Sequence, residues 1–145
     1  MVQRIVAAVR GNGTVFALKT DGTGFTNVHS FTPAGGTDFT NGDGANPWGG
    51  LILSGSTLSG TTRRGGSSGK GTVFAVKTDG TGFTNLHGFT AIPGSPPTNS
   101  DGANPYASLI LSGNTLYGTT FRGGSSGQGT VFKVNAAGTA FMTLV

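Results

Sequence analysis

The chain has 145 residues, of which 28 are glycine, 10% are charged and 34% are hydrophobic, and its formal net charge is +4. It contains no cysteine, which excludes a disulfide framework, a thiolate zinc site and a cysteine nucleophile. The nine basic residues are scattered without a long Lys/Arg run, so nucleic-acid binding is not expected.

The first predicted element is a short apolar stretch at residues 5–9. It is too short for the core of a signal peptide or for a membrane-spanning helix. We therefore expect no membrane span and no export signal within this sequence. We interpret residues 5–9 as a degenerate first β-strand.

Most of the chain is a tandem repeat. Residues 11–68 recur as residues 69–126 at an offset of 58, with 41 of 58 positions identical, and a third copy begins at residue 127. Tandem repetition of this kind predicts one supersecondary unit stacked on copies of itself. The glycines recur beside fixed apolar residues, which indicates tight turns rather than a flexible linker.

Within a repeat, apolar residues alternate with period two between regularly spaced turn residues, which is typical of an all-β fold. In chain order, strand A is predicted at residues 48–53, strand B at 57–62, strand C at 72–77 and strand D at 82–89. Gly55 and the pair Asp79-Gly80 supply hairpin turns. No segment has the 3.6-residue apolar period of a helix, so helix should be nearly absent.

Four short antiparallel strands per period predict a β-propeller blade, although 58 residues is longer than the usual propeller repeat. The alternative, a β-solenoid, needs parallel stacking that hairpin turns disfavour. We expect a single domain of about 2.75 blades, with a partial blade at 1–31, a blade at 32–89 and a blade at 90–145.

This count gives 11 strands and unpaired edges, whereas closed propellers have four to eight blades. We therefore expect homo-oligomerisation to close the ring, with a dimer of about six blades preferred to a trimer. Phe16, Phe74 and Phe132 should pack between blades, those of the terminal blades across the subunit boundary. The alternative is a fragment that assembles irregularly or closes with part of its first blade.

Several repeated units resemble a known family. They are GGSSGKGTVF at 65–74, GGSSGQGTVF at 123–132, TLYGTT at 115–120 and SDGANP at 100–105. They look like the GloVer tandem-repeat proteins, which are mostly predicted bacterial surface or secreted proteins. The resemblance covers essentially the whole chain. It implies a propeller-like repeat and an extracellular or cell-envelope location, but no particular activity.

Two kinds of repeated loop are expected on one face of the propeller, because successive strands reverse direction. The B–C loops contain Gly-Gly-Ser-Ser-Gly, and the D–A loops end in Asp-Gly-Ala-Asn-Pro and lead into the innermost strand. Four polar residues should therefore approach the channel mouth: Asp43, Asn46, Asp101 and Asn104. Either their side chains hold the turns together, or their oxygens bind Ca²⁺.

Other residues are candidates for ligand binding. Trp48 and Tyr106 occupy one repeat position at the start of strand A, either as channel core or as stacking platforms for a sugar or acyl group. Arg64 and Arg122 are candidates for holding a carboxylate or sulfate. The glycine-rich loops lack the GK[ST] ending and following helix of a nucleotide site.

His29 and His87 are repeat equivalents near the end of strand D. They are either half-buried strand residues or candidate general bases. No serine lies in a G-x-S-x-G elbow, the strand-to-helix turn that carries a serine nucleophile. Asp21 and Asp79 each precede a glycine, which predicts a structural role in a hairpin turn.

Two functions remain open from the sequence. The first is an oligomeric, non-enzymatic repeat module that binds a glycan, peptide or small molecule on its loop-rich face. The alternative is a Ca²⁺-dependent hydrolase of lactones or esters, for example acyl-homoserine lactones, by analogy with propeller lactonases. In that case the four Asp and Asn residues would hold the metal, and a histidine would act as base.

Overall fold

The computed structural model describes residues 3–4 and 12–145, and this part of the chain forms three antiparallel sheets. The first sheet contains β1 (Gln3–Arg4), β2 (Thr14–Lys19) and β3 (Thr26–Ser30). The second contains β4 (Ile52–Ser54), β5 (Thr57–Thr62), β6 (Thr72–Lys77) and β7 (Thr84–Gly88). The third contains β8 (Ile110–Ser112), β9 (Thr115–Thr120), β10 (Thr130–Asn135) and β11 (Met142–Thr143). Consecutive strands are hydrogen-bonded neighbours in each sheet. From here on, the first, second and third repeats are the segments that carry these three sheets, which extend up to residue 31, over 32–89 and over 90–145.

The predicted all-β, antiparallel fold is confirmed. The described residues contain no helix, and therefore no helix long and apolar enough to cross a membrane. The predicted strand at residues 5–9 lies outside the described part of the chain. Closure into a propeller stays a prediction.

Strands B and C were predicted correctly, because β5 and β6 have the expected bounds and pair from Thr57↔Lys77 to Thr62↔Thr72. The local turn chemistry explains why the hairpins form here. Gly55 adopts φ +59°, which a two-residue hairpin turn requires. At the next turn, the Asp79 carboxylate accepts hydrogen bonds from the backbone N–H and the hydroxyl of Thr81, at 2.9 and 2.6 Å.

Strands A and D are shorter than predicted. Strand β7 does not begin until Thr84, because Gly82 adopts φ +63° and belongs to the preceding turn. Strand β4 begins at Ile52 rather than at residue 48. The residues before it are not paired with β5, and the Gly50 N–H instead donates to Ser108 Oγ of the next repeat at 2.8 Å.

The three sheets pack face to face in chain order, through both faces of β6. Phe74 and Val76 of β6 belong to a buried cluster with residues of the first sheet, including Val15 and Val28. Val73 and Ala75 point the other way, into a second cluster. In that cluster they meet Leu109, Leu116, Phe132 and Val134 of the third repeat. Because successive side chains of β6 point to opposite faces, this one strand packs against both neighbouring sheets.

The outward faces of the first and third sheets leave apolar side chains exposed. In the first repeat, Phe25 is 66% exposed and its ring lies 5.3 Å from that of Phe16. In the third sheet, Ile110 is 67% exposed and Val131 is also exposed. The expectation that Phe132, as a terminal-blade residue, packs across a subunit boundary is wrong. Phe132 is fully buried between the second and third sheets of the same chain.

The burial of Phe132 gives a first testable prediction. Phe132→Ala should lower the free energy of unfolding by about 3–5 kcal/mol, because it removes a large buried ring and leaves a cavity. Urea denaturation followed by circular dichroism measures the change. Phe121→Ala is the control, since that ring is 62% exposed, and it should cost less than about 1 kcal/mol. Equal losses for the two variants would contradict the packing described.

Candidate functional site

The B–C and D–A loops meet on one face of the molecule, as the sequence predicted. Ala45 and Arg64 exchange two backbone hydrogen bonds of 2.7 and 3.0 Å, and Ala103 and Arg122 do the same at 2.8 and 3.1 Å. These two ladders attach the end of each D–A loop to the B–C loop of the same repeat. We call the surface formed by both kinds of loop the loop-rich face.

One asparagine side chain organises this junction in each repeat. Asn99 Oδ1 accepts from the backbone N–H groups of Gly102 and Gly124, both at 2.9 Å, and its amide donates to the Gly102 carbonyl at 2.8 Å. Asn41 makes the equivalent bonds in the preceding repeat. The sequence analysis did not single out this pair, although both asparagines stand two residues before the Asp of the repeated motif.

The Asp-Gly-Ala-Asn-Pro motif connects neighbouring repeats. Gly102 adopts φ +93°, and a Cβ at this position would overlap the hydroxyls of Thr120 and Thr130. Asn104 donates from its backbone N–H to the Lys70 carbonyl at 2.8 Å and from its side chain to the Arg63 carbonyl at 3.0 Å. The Asn46 N–H donates to the Asn12 carbonyl at 2.8 Å. The two asparagines therefore bond to the repeat that precedes each of them.

The two aspartates of the motif pair with the two histidines that the sequence analysis treated separately. The Asp101 carboxylate accepts from His87 Nε2 at 2.9 Å and from the backbone N–H and hydroxyl of Thr90 at 3.1 and 2.5 Å. Asp43 has the equivalent partners one repeat earlier: its carboxylate accepts from His29 Nε2 at 3.0 Å and from the backbone N–H and hydroxyl of Thr32. Each carboxylate thus lies beside the edge strand β3 or β7. That the two aspartates approach a channel mouth stays a prediction.

Aromatic rings of the next repeat cover the histidines. His29 stacks on Phe83 with ring centroids 3.9 Å apart, and His87 stacks on Phe141 at 3.6 Å. Both histidine side chains are less than a fifth exposed. The His–Asp pairs therefore lie at the contacts between consecutive sheets, where they hold one repeat against the next.

The electrostatics of Asp101 follow from this pairing. Burial alone raises the pKa of the Asp101 carboxyl, but hydrogen bonds from His87 and Thr90 outweigh burial and hold the pKa below its usual value. The described residues contain no group of three or more His, Cys, Asp or Glu side chains that could hold a metal ion. Binding of Ca²⁺ by Asp43 or Asp101 stays a prediction, and it would require these carboxylates to exchange their present partners.

A cavity of about 210 Å³ opens on the loop-rich face, between the second and third repeats. Four of the nine basic residues of the chain line it: Arg63, Arg64, Lys70 and Arg122. None of these cations has a carboxylate of the described residues within 4.0 Å. Asp38 is the one acidic side chain in the lining. The residues that looked scattered in sequence therefore form a positive cluster in space.

Aromatic rings surround these cations. The Arg63 guanidinium lies over the rings of Trp48 and Tyr106, at 4.4 and 4.9 Å from their centroids. The Arg64 guanidinium lies 4.5 Å from the ring centroid of Phe39. Tyr106 also contacts Phe121, edge to face, at 5.3 Å. Three of the four predicted ligand-binding residues, Tyr106, Arg64 and Arg122, line this cavity. Trp48, the fourth, lies behind it and contacts the lining residues Arg63 and Tyr106.

Sequence reasoning missed Arg63, Phe39, Lys70 and Phe121 as members of this site. A signal was present, because all four stand at positions where the aligned repeats differ. Arg63 aligns with Phe121, Phe39 with Pro97, and Lys70 with Gln128. The rest of the B–C loop is nearly identical between the copies. The three differing positions therefore indicate where one copy carries a feature that the other lacks.

The pairing of Asp101 predicts how stability depends on pH. The pKa of Asp101 is lower in the folded protein than in the unfolded chain, so its contribution is fully present above the unfolded value of about 3.9. The contribution is lost as the pH falls through the folded pKa. Asp101→Asn should lower the free energy of unfolding at pH 7 by roughly 2–3 kcal/mol and reduce the loss of stability in acid. Denaturant unfolding at pH 7 and below pH 4 measures both effects. Asp38→Asn, at an exposed position, is the control, and an equal loss there would contradict this account.

Comparison with curated proteins found no match. The family model of the Gloeobacter/Verrucomicrobia repeat matches residues 6–145, which confirms the resemblance drawn from the repeated motifs. The match covers nearly all of the chain, including the strands of the second and third sheets and the loops that surround the cavity. The chain belongs to the Gloeobacter/Verrucomicrobia repeat family.

Proposed function

We propose that the protein is a propeller-type repeat module that binds a ligand on its loop-rich face, in the cavity between the second and third repeats. The observation that carries this proposal is a cluster of four cations in one cavity, set among aromatic rings and without a carboxylate partner among the described residues. Exposed aromatic and arginine side chains are the types most often used to anchor ligands and partners. From the family resemblance we expect an extracellular or cell-envelope location.

The site is better suited to binding than to chemistry. Neutral histidine and ionised aspartate are the usual proton-transfer groups in enzymes. Here each histidine bonds to an aspartate and stacks on a phenylalanine at a contact between sheets. The cavity itself contains arginine and lysine side chains, which attract and orient an anion but make poor general bases at neutral pH.

Self-assembly is the second part of the proposal, with a dimer preferred to a trimer. The exposed face of the first sheet is repeat-equivalent to faces that are covered inside the chain, since Phe25 corresponds to Phe83, which packs in the first cluster. The exposed face of the third sheet corresponds to the covered face of the second. There Val131 aligns with Val73 and Ile110 with Ile52. The two exposed faces are therefore complementary, and two copies joined head to tail would give six sheets in a ring.

A Ca²⁺-dependent lactone or ester hydrolase is the alternative. The His29–Asp43 and His87–Asp101 pairs are the observation that favours it, because a carboxylate bonded to a histidine can orient that ring as a base. The same carboxylates would have to join Asn46 and Asn104 in binding the metal. Turnover of acyl-homoserine lactones or p-nitrophenyl esters that EDTA abolishes would establish this alternative.

The binding proposal predicts the effect of removing charge from the cavity. Arg64→Gln combined with Arg122→Gln should weaken binding at least tenfold on an array of glycans, peptides and small molecules, because both guanidinium groups line the site. Lys19→Gln combined with Lys77→Gln removes the same charge at strand ends outside the cavity, and it should leave binding unchanged. Equal effects of the two double variants would show that only net charge matters and would refute the assigned site.

The assembly proposal predicts that Phe25→Asp and Ile110→Asp each dissociate the oligomer. Both side chains are about two-thirds exposed in one chain, so neither change should unfold it. Sedimentation velocity at micromolar concentration measures the mass. Mixing the two variants should restore some dimer, because each retains the face that the other has lost. Phe121→Asp, an equally exposed ring on the loop-rich face, should stay dimeric. A monomeric wild-type protein would overturn this part of the proposal.

A further inference from the structure

We propose that the cavity between the second and third repeats binds an anionic saccharide, a sugar chain that bears carboxylate or sulfate groups, at one site per chain. This inference deepens the proposed function and rests on it. It identifies the chemical class of the ligand and the number of sites, neither of which the repeat itself determines.

The charges of the cavity favour an anion. Arg63, Arg64, Lys70 and Arg122 line it, and none of them has a carboxylate of residues 12–145 within 4.0 Å. Unpaired cations close together repel one another, and a bound anion relieves that repulsion. Carboxylate and sulfate groups also match the planar donor pattern of arginine.

Arg63 supplies an independent observation. Its Nε atom is buried and has no hydrogen-bond partner among the described residues. The guanidinium lies over the adjoining rings of Trp48 and Tyr106, whose centroids are 5.3 Å apart. A buried donor without a partner is rare in folded proteins, and an acceptor carried by a ligand would satisfy it.

The aromatic rings favour a saccharide over a simple ion. Phe39 and Phe121 are both exposed at the cavity, and Phe39 holds its ring there with φ at 58°, a backbone region that large side chains seldom adopt. Exposed ring faces beside cations suit the C–H faces of a sugar ring, whose acidic substituents reach the arginines. A phosphate or sulfate ion has no apolar surface that could pack against these rings.

The site occurs once because the repeats differ there. The position of Arg63 is Phe121 in the next copy, and the position of Phe39 is Pro97. The third repeat therefore offers a following copy neither the stacked arginine nor the strained aromatic residue. We expect a stoichiometry of one saccharide per chain rather than one per repeat.

The experiment uses the fluorescence of Trp48, the only tryptophan in the chain, together with calorimetry for stoichiometry. The probes are a galacturonate tetramer, a sulfated disaccharide, a neutral galactose tetramer, sodium sulfate, an acidic hexapeptide and a short DNA strand. The acidic sugars should bind one per chain, at least tenfold more tightly than the neutral tetramer, and more weakly as salt rises. Phe39→Ala should weaken the binding of both acidic sugars, whereas Lys19→Gln combined with Lys77→Gln should change nothing.

The outcomes separate this inference from the proposed function. If the neutral tetramer binds as tightly as the acidic one, or if peptide or DNA binds best, the saccharide assignment is wrong while the cavity remains a binding site. Two acidic sugars bound per chain would refute the single site. If no probe binds, or if Arg64→Gln combined with Arg122→Gln leaves binding unchanged, both the inference and the proposed function fail.

Discussion

Strand β6 buries side chains on both of its faces, and the arrangement of the whole chain depends on this double burial. Phe74 and Val76 pack against the first sheet, and Val73 and Ala75 pack against the third. A sheet with only one buried face would need only one neighbouring sheet. Here every residue from 73 to 76 is buried, so the second sheet requires a neighbour on each side, and the repeat supplies both.

The connections between sheets use positions that are identical in the two copies. The Asp–His pair and the asparagine that bonds to the preceding repeat recur unchanged at an offset of 58 residues. These groups look like catalytic or metal-binding residues in the sequence. In the folded chain their hydrogen-bonding capacity is directed at the neighbouring repeat, which explains why they recur as a set.

The cavity, in contrast to the contacts between sheets, depends on positions that differ between the copies. Its distinctive residues are those that differ between copies, such as Arg63 and Phe39. The identical positions build a loop scaffold with closely similar backbone bonds in each repeat, and the variable positions place charge and aromatic rings on it. A repeat protein can in this way keep its packing and still carry one asymmetric site.

The sequence by itself determined the strands and the turns, because those depend on neighbours along the chain. Period-two alternation and turn chemistry located β5, β6 and the hairpins at Gly55 and Asp79, and the repeat and its family followed from the same motifs. Tertiary structure decided the rest. The early start predicted for strand A was wrong because Gly50 bonds to Ser108, 58 residues away. The Asp–His pairs and the cluster of Arg63, Lys70 and Arg122 likewise join residues that only the loop path and the stacking of sheets bring together. Local periodicity carries no information about such distances, since they are determined by how one repeat packs against the next.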